Sequence, residues 1–163
     1  MKNMTTFTKW FLLNAVMLTG FFFAEAKGAV SLVIENDISR ISIVIMILYA
    51  IVSAMVGRLC YLADKMSEEP TKLKKEKEYL SRRAEVGWFA AEHFFSLGLL
   101  GTVFGLCVAT ATNLDENAQV STIVSGLKEG LNTAFYTTIC GIVFSLPLQA
   151  QLMILRFKVE DGS

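Results

Sequence analysis

The chain has 163 residues, a formal net charge of zero and 53% hydrophobic residues. The apolar residues are gathered into long blocks, which is typical of an integral membrane protein and argues against a soluble domain. A net charge of zero neither favours nor excludes a nucleic-acid partner. The sequence has no basic stripe interleaved with aromatic residues, so we expect no such partner. The three cysteines have no CxxC or Cys/His spacing and there is one histidine, so we expect no metal and no cofactor.

The N-terminal segment, residues 1–37, holds a short hydrophobic block at 10–24 and then an outward linker. Lys2 and Lys9 precede the block and an A-x-A sequence at 24–26 follows it, an arrangement typical of a secretory signal with its cleavage site. The block's length also fits a short uncleaved first span or an anchor at the membrane interface. The sequence leaves these three alternatives open.

Three further blocks are long enough to cross the ~30 Å hydrocarbon core of a bilayer. We therefore expect an all-α fold, an integral membrane helical bundle with three or four transmembrane helices. The last two helices are long and should extend into the cytoplasm. The expected spans are residues 38–62, 87–112 and 127–158, with a charged cytoplasmic connection at 63–86, an outward loop at 113–126 and a tail at 159–163.

The distribution of lysine and arginine predicts the orientation. Seven of them lie in 63–86, whereas the connection between the last two blocks has only Lys128. The positive-inside rule therefore places 63–86 and the C-terminus in the cytoplasm, and the loop at 113–126 outside. If the first block also spans, the N-terminus is cytoplasmic and the protein has four spans.

The block before the outward loop carries three glycines near one helical face, Gly98, Gly101 and Gly105. Glycine lowers helix stability, so we expect these residues to allow close packing of a neighbouring helix. Glu92 and His93 lie at the cytoplasmic edge of this block beside an interfacial tryptophan, where anchoring is their expected role.

The last block has a continuous stripe of small residues on one helical face. The stripe includes Gly130 and Gly141, for which we also expect a packing role. Pro147 removes a backbone donor, and a local bend is expected there. Beside the stripe lie more polar groups than lipid would tolerate, so they should face a helix bundle or a wet interior. These polar residues are Asn132, Thr133, Thr137, Thr138 and Ser145.

A single membrane threonine usually bonds back to a carbonyl one turn earlier. Hydroxyls and amides bind water or a cation, but a threonine does not titrate at neutral pH. A proton-driven device needs a carboxylate or histidine within the membrane, and this chain has none well inside any block. If the chain conducts protons, another polypeptide should supply the titrating group.

Two segments carry a family resemblance. SLGLLGTVFGL at 96–106 resembles the LGLLGTVxG signature of the MotA/TolQ/ExbB proton channel family, and GLNTAFYTTICGIVFSLP at 130–147 resembles its GxxxAxxTTxxGxxxxxP signature. The two motifs occur in the expected order, and the resemblance extends over about residues 85–156. By motif the chain is most similar to the ExbB/TolQ branch.

The resemblance implies a stator-like or motor-like subunit of the bacterial inner membrane, in which five copies form a homo-pentamer. The ring would surround a small single-span partner of the MotB/TolR/ExbD kind that carries a membrane aspartate, and would couple proton motive force to movement, as in protein transport. Thr102 and Thr138 match the two pore-facing threonines of the family, and Thr137 is their neighbour. Thr133 stands where ExbB and TolQ usually carry a glutamate. The expected proton path is lined by Thr102, Thr133, Thr137 and Thr138.

Two other functions remain open from the sequence. A non-conducting membrane scaffold would use the small stripe for packing alone, and a holin-like pore former would need no partner. We do not expect an enzyme, because no nucleophile–base pair or metal cluster can be assembled from the residues.

Overall fold

The computed structural model describes residues 5–66, 70–111 and 120–161, and these ranges contain no β-strand. Four of the helices are long and apolar enough to cross a membrane, and α2 is short. The predicted all-α membrane bundle is therefore confirmed. The helices are α1 (Thr5–Ala26), α2 (Ala29–Asn36), α3 (Ile41–Asp64), α4 (Pro70–Ala111) and α5 (Val120–Asp161).

Helices α4 and α5 have 42 residues each. At 1.5 Å per residue each is about 63 Å long, roughly twice the hydrocarbon thickness of a bilayer. The charged segment expected as a connection at 63–86 is thus helical from Pro70 onward and forms the first half of α4. An i,i+4 ion pair of 2.8 Å between Glu78 and Arg82 supports the helix there.

Helix α5 begins at Val120, so the second half of the segment expected as a loop at 113–126 is helical. No glycine or proline interrupts 120–125, and the Ser125 hydroxyl bonds back to the Thr122 carbonyl at 2.9 Å. The first half of that expected loop, residues 113–119, lies outside the described residues.

Helices α4 and α5 form a long antiparallel pair, and α3 packs against both. The core lies where these three helices meet, and its largest members have almost no exposed surface. They include Ile45, Val56, Leu80, Phe94, Leu148, Leu152 and Leu155.

Helix α1 runs antiparallel to α3. The buried carboxylate of Asp64, at the end of α3, accepts hydrogen bonds from the backbone N–H groups of Thr6 (3.2 Å) and Phe7 (2.8 Å). Because the first N–H groups of a helix have no partner within the helix, this carboxylate caps α1. The start of α1 and the end of α3 therefore lie at the same end of the bundle.

The links around α2 have specific local causes. Gly28, with a φ of 74°, ends α1 in a left-handed conformation that glycine adopts without a steric penalty. After α2, the buried Asp37 carboxylate accepts hydrogen bonds from the Ser42 N–H (2.8 Å) and the Ser39 hydroxyl (2.6 Å). It thereby caps the first turn of α3.

Candidate functional site

The seam between α4 and α5 is built on backbone contacts. A Cβ atom added at Gly105 would overlap the Gly130 carbonyl, and one added at Gly130 would overlap the Gly105 carbonyl. At Gly98 a Cβ would lie 2.9 Å from the Thr137 carbonyl, and at Gly141 it would lie 2.8 Å from the Phe94 carbonyl. All five glycines for which a packing role was predicted lie in this seam: Gly98, Gly101, Gly105, Gly130 and Gly141.

Two threonine hydroxyls meet at one edge of this seam. The Oγ1 atoms of Thr102 and Thr138 are in direct hydrogen-bond contact across the two helices, and both side chains are half-buried. Each hydroxyl also lies near helix carbonyls. Thr102 Oγ1 is 3.2 Å from the carbonyls of Gly98 and Ala134, and Thr138 Oγ1 is 3.0 Å from that of Ala134. The glycines bring the backbones close enough for these short side chains to touch.

The other two predicted threonines point elsewhere and are fully buried. Thr137 fills the space beside Gly101, and its hydroxyl donates to the Thr133 carbonyl at 2.8 Å. Thr133 Oγ1 donates to the Asn36 carbonyl at 3.1 Å and accepts from the Ile38 N–H at 3.2 Å. The four predicted path residues therefore separate into an edge pair, Thr102 and Thr138, and two residues packed inside the chain.

Helix α5 continues through Pro147 as a single element. Just before it, the buried Ser145 hydroxyl donates to the Ala91 carbonyl of α4 at 2.7 Å. The seam thus acquires a direct hydrogen bond near the proline, where the α5 backbone lacks one donor.

A buried polar cluster was missed by the sequence reasoning. Gln151 of α5 is fully buried, and its Oε1 accepts from Trp10 Nε1 (3.1 Å) and Ser53 Oγ (2.9 Å). Its Nε2 donates to Tyr49 Oη (3.1 Å) and Asn14 Oδ1 (3.4 Å). The sequence places Asn14, Ser53 and Gln151 in three different apolar blocks, and only the tertiary fold shows that these residues meet.

Charge is absent from the central part of the α4–α5 seam. The sequence has no charged residue over 94–111 of α4 or 131–155 of α5, so none faces the threonine pair from either helix. In the described ranges, no group of three His, Cys, Asp or Glu side chains comes together in a way that would hold a metal ion. What the edge pair offers chemically is two hydroxyls that donate and accept hydrogen bonds without titrating.

The four long apolar helices define a multi-pass helical membrane protein. The model of the MotA/TolQ/ExbB proton channel family matches residues 61–162, which take in all of α4 and α5 and are more than half of the chain. The chain belongs to this family, as its two motifs predicted. No curated protein and no solved structure is matched by the chain.

Proposed function

We propose that the chain is a stator-like subunit of the bacterial inner membrane that couples proton flow to the movement of a partner. Five copies would form a homo-pentamer around a small single-span protein that carries a membrane aspartate. Membership of a proton channel family supports the conduction part of this proposal. The observation that carries the assignment of the pathway is the contact between the Thr102 and Thr138 hydroxyls at an accessible edge of the seam.

The chemistry of the pair fits this role. Polar groups exposed to lipid are costly unless they have a hydrogen-bond partner, and both hydroxyls have helix carbonyls within reach. When a carboxylate or a water molecule arrives, rotation about the C–O bond lets each hydroxyl donate to it instead. The pair is therefore satisfied within the chain before the partner binds and free to bond the partner afterwards.

The burial of the other two threonines narrows the proposed path. Thr102 and Thr138 line it, whereas Thr137 holds the seam and Thr133 holds the link before α3. A proton-driven device needs a carboxylate or histidine within the membrane, and the central stretches of α4 and α5 carry neither. In this proposal the partner's aspartate is that carrier, and the hydroxyls orient it or the water beside it.

The test is Thr138→Val, which removes one hydroxyl at nearly constant volume. A hydrogen bond to a charged group contributes about 1.5–3 kcal/mol, so we expect proton flux to fall by roughly tenfold to a hundredfold. Flux is measured with an entrapped pH dye in vesicles that contain the chain and its single-span partner, and assembly is checked by the mass of the complex.

Thr110→Val is the matched control. Thr110 is an exposed threonine of α4 whose hydroxyl donates to its own helix, to the carbonyls of Leu106 (3.1 Å) and Cys107 (3.0 Å). Its substitution should leave flux unchanged. Normal flux in Thr138→Val would reject the role of the pair and favour a scaffold. Depolarisation of cells that express the chain alone would favour a holin-like pore.

A further inference from the structure

A shallow groove of about 500 Å³ lies between α4 and α5, beyond the threonine pair in the direction of the end assigned to the cytoplasm by the positive-inside rule. Its apolar walls are exposed side chains and its polar atoms come from one residue of α4 and two of α5. The lining residues are Glu92, Phe95, Ile142, Ser145, Leu146 and Gln149.

The groove and the threonine pair share one edge of the two helices. On α5, Ile142 and Gln149 follow Thr138 by four and eleven residues, which places them on the same helical face. On α4, Glu92 precedes Thr102 by ten residues, about 15 Å along the axis. That distance is half the ~30 Å hydrocarbon core, so Glu92 lies near an interface when the threonine pair lies near the midplane.

The polar atoms of the groove form a short chain. Gln149 Nε2 donates to Ser145 Oγ at 3.1 Å, and Ser145 Oγ donates to the Ala91 carbonyl at 2.7 Å. Neither side chain titrates at neutral pH, so Glu92 is the one titratable residue among those that line the groove. In the described part of the chain its carboxylate forms no ion pair.

The charged neighbours of Glu92 lie outside the groove. The adjacent His93 ring stacks on Phe89, with Nδ1 2.7 Å from the Phe89 carbonyl. Glu85 of α4 and Arg156 and Glu160 of α5 line a second depression further toward the same end. Arg156 pairs with Glu160 at 2.7 Å, so neither of these two is directed at Glu92.

We propose that Glu92 is the proton acceptor on the cytoplasmic side of the pathway, a step that rests on the proposed function. A proton released by the partner's carboxyl group passes to water in the groove, and the Glu92 carboxylate takes it by forming an O–H bond as the O–H bond of the hydrated proton breaks. Glu92 then releases the proton to water at the interface and is again a carboxylate. No electrons are transferred.

Glu92 and Thr133 lie on opposite sides of the threonine pair along the bundle. Thr133, on the outward side, is buried and bonded to backbone on both sides. Glu92 lies on the other helix and at the accessible edge, so it reaches water without disturbing the packed interior.

The experiment uses Glu92→Gln in the full chain, reconstituted with its single-span partner in vesicles that contain a pH dye. The amide keeps the shape and hydrogen bonding of the side chain but does not titrate. We expect flux to fall on the order of a hundredfold and to lose its dependence on pH at the cytoplasmic face, since that is the contribution of a positioned proton-transfer group. Glu92→Asp should restore most of the flux and a dependence on pH, with the profile shifted from that of the wild type because the carboxylate is withdrawn by one methylene group.

Glu85→Gln is the control, because Glu85 lies two turns away on α4 and outside the groove. It should keep the flux and pH profile of the wild type. Thr138→Val should lower flux at every pH without altering the shape of the profile, which separates the two steps.

The other outcomes test Glu92 and the proposed function separately. A wild-type flux and pH profile in Glu92→Gln overturns the role of Glu92 and leaves the proposed function standing. A wild-type chain that conducts no protons with its partner overturns both. If Glu92→Gln does not assemble, Glu92→Asp decides, since a shifted pH profile supports the inference and an unchanged profile rejects it.

Discussion

Two helix seams in this molecule are held in opposite ways. The α4–α5 seam is a contact of backbones at glycines, with carbonyl oxygens where a Cβ would otherwise lie. The seam of α1 with α3 and α5 is made by side chains, through hydrogen bonds of Asn14, Ser53 and Gln151 and through the Trp10 ring, which packs on Gly57. Beyond Asn14, α1 is largely open, with Leu18 70% and Phe22 76% exposed.

The difference shows two ways in which helices associate in a bilayer, where the hydrophobic effect does not drive them together. Lipid is as apolar as leucine, so helices associate through close packing or through polar groups that need partners. The glycine seam leaves no space for an added atom and should behave as one rigid unit. The polar seam is a set of separable bonds around an otherwise lipid-compatible helix, so α1 should detach before the rest unfolds.

The largest expected effect is at the glycine seam. Gly105→Ala places a methyl group against the Gly130 carbonyl, and backbone cannot move aside as a side chain does. We expect a loss of about 3 kcal/mol in the free energy of unfolding, at the upper end of the range for overpacking. Thermal unfolding of the purified protein in detergent measures it.

Gly20→Ala is the control for this substitution. At Gly20 of α1 an added Cβ atom would have no neighbour within 4 Å, and alanine favours a helix by roughly 1 kcal/mol over glycine. Stability should therefore be equal or slightly higher. Equal stability of Gly105→Ala and wild type would show that the seam tolerates a methyl group and is looser than the contacts indicate.

A smaller effect is expected at the polar seam. Gln151→Leu removes the shared partner of Trp10, Ser53 and Asn14, and we expect a loss of about 1–2 kcal/mol, the range of interhelical hydrogen bonds in membranes. The hydrogen-exchange rates of the α1 amides should rise, while the rates of the amides in the α4–α5 pair should stay unchanged.

Adding Asn14→Leu to Gln151→Leu sharpens this test. When both partners are replaced by apolar groups, one unsatisfied polar group is removed as well, so the double variant should lose less than the sum of the two single variants. Strict additivity would show that the two side chains do not interact.

The smallest effect is expected at the cap of α1. Asp64→Ala leaves the N–H groups of Thr6 and Phe7 without an acceptor and should cost about 1 kcal/mol. The change should be confined to faster exchange of amides in the first turn of α1. Asp64→Asn keeps an acceptor oxygen and should exchange nearly as slowly as wild type. Equal exchange in the alanine variant would rule out the cap.

Much of the fold follows from sequence because it depends on local composition. Apolar blocks identify the spans, and the two motifs around Thr102 and Thr138 identify the family. Residues that repeat every three or four positions also identify the seam, since one helical face is enough to define it. The length of the last two helices was also predicted, and α4 and α5 have 42 residues each.

Contacts that join distant segments were not predictable. Gln151 meets Ser53 and Trp10 across 98 and 141 residues of chain, and no periodicity links such positions. Thr133 was grouped with Thr138 because both lie on one helix near a small stripe. A five-residue separation turns them to different faces, and only the position of the α2–α3 link shows what Thr133 contacts.

The bond of Thr133 to the link before α3 has a mechanical consequence. It ties α5 to a neighbouring helix near one end of the bundle, Ser145 ties α5 to α4 further along, and Gln151 ties it to α1 and α3 beyond that. A helix that is bonded to its neighbours at three levels along its length should neither slide nor rotate within its own chain. If the proposed ring turns around its partner, the movement would take place between whole chains and the partner, while α5 keeps its position within its own chain.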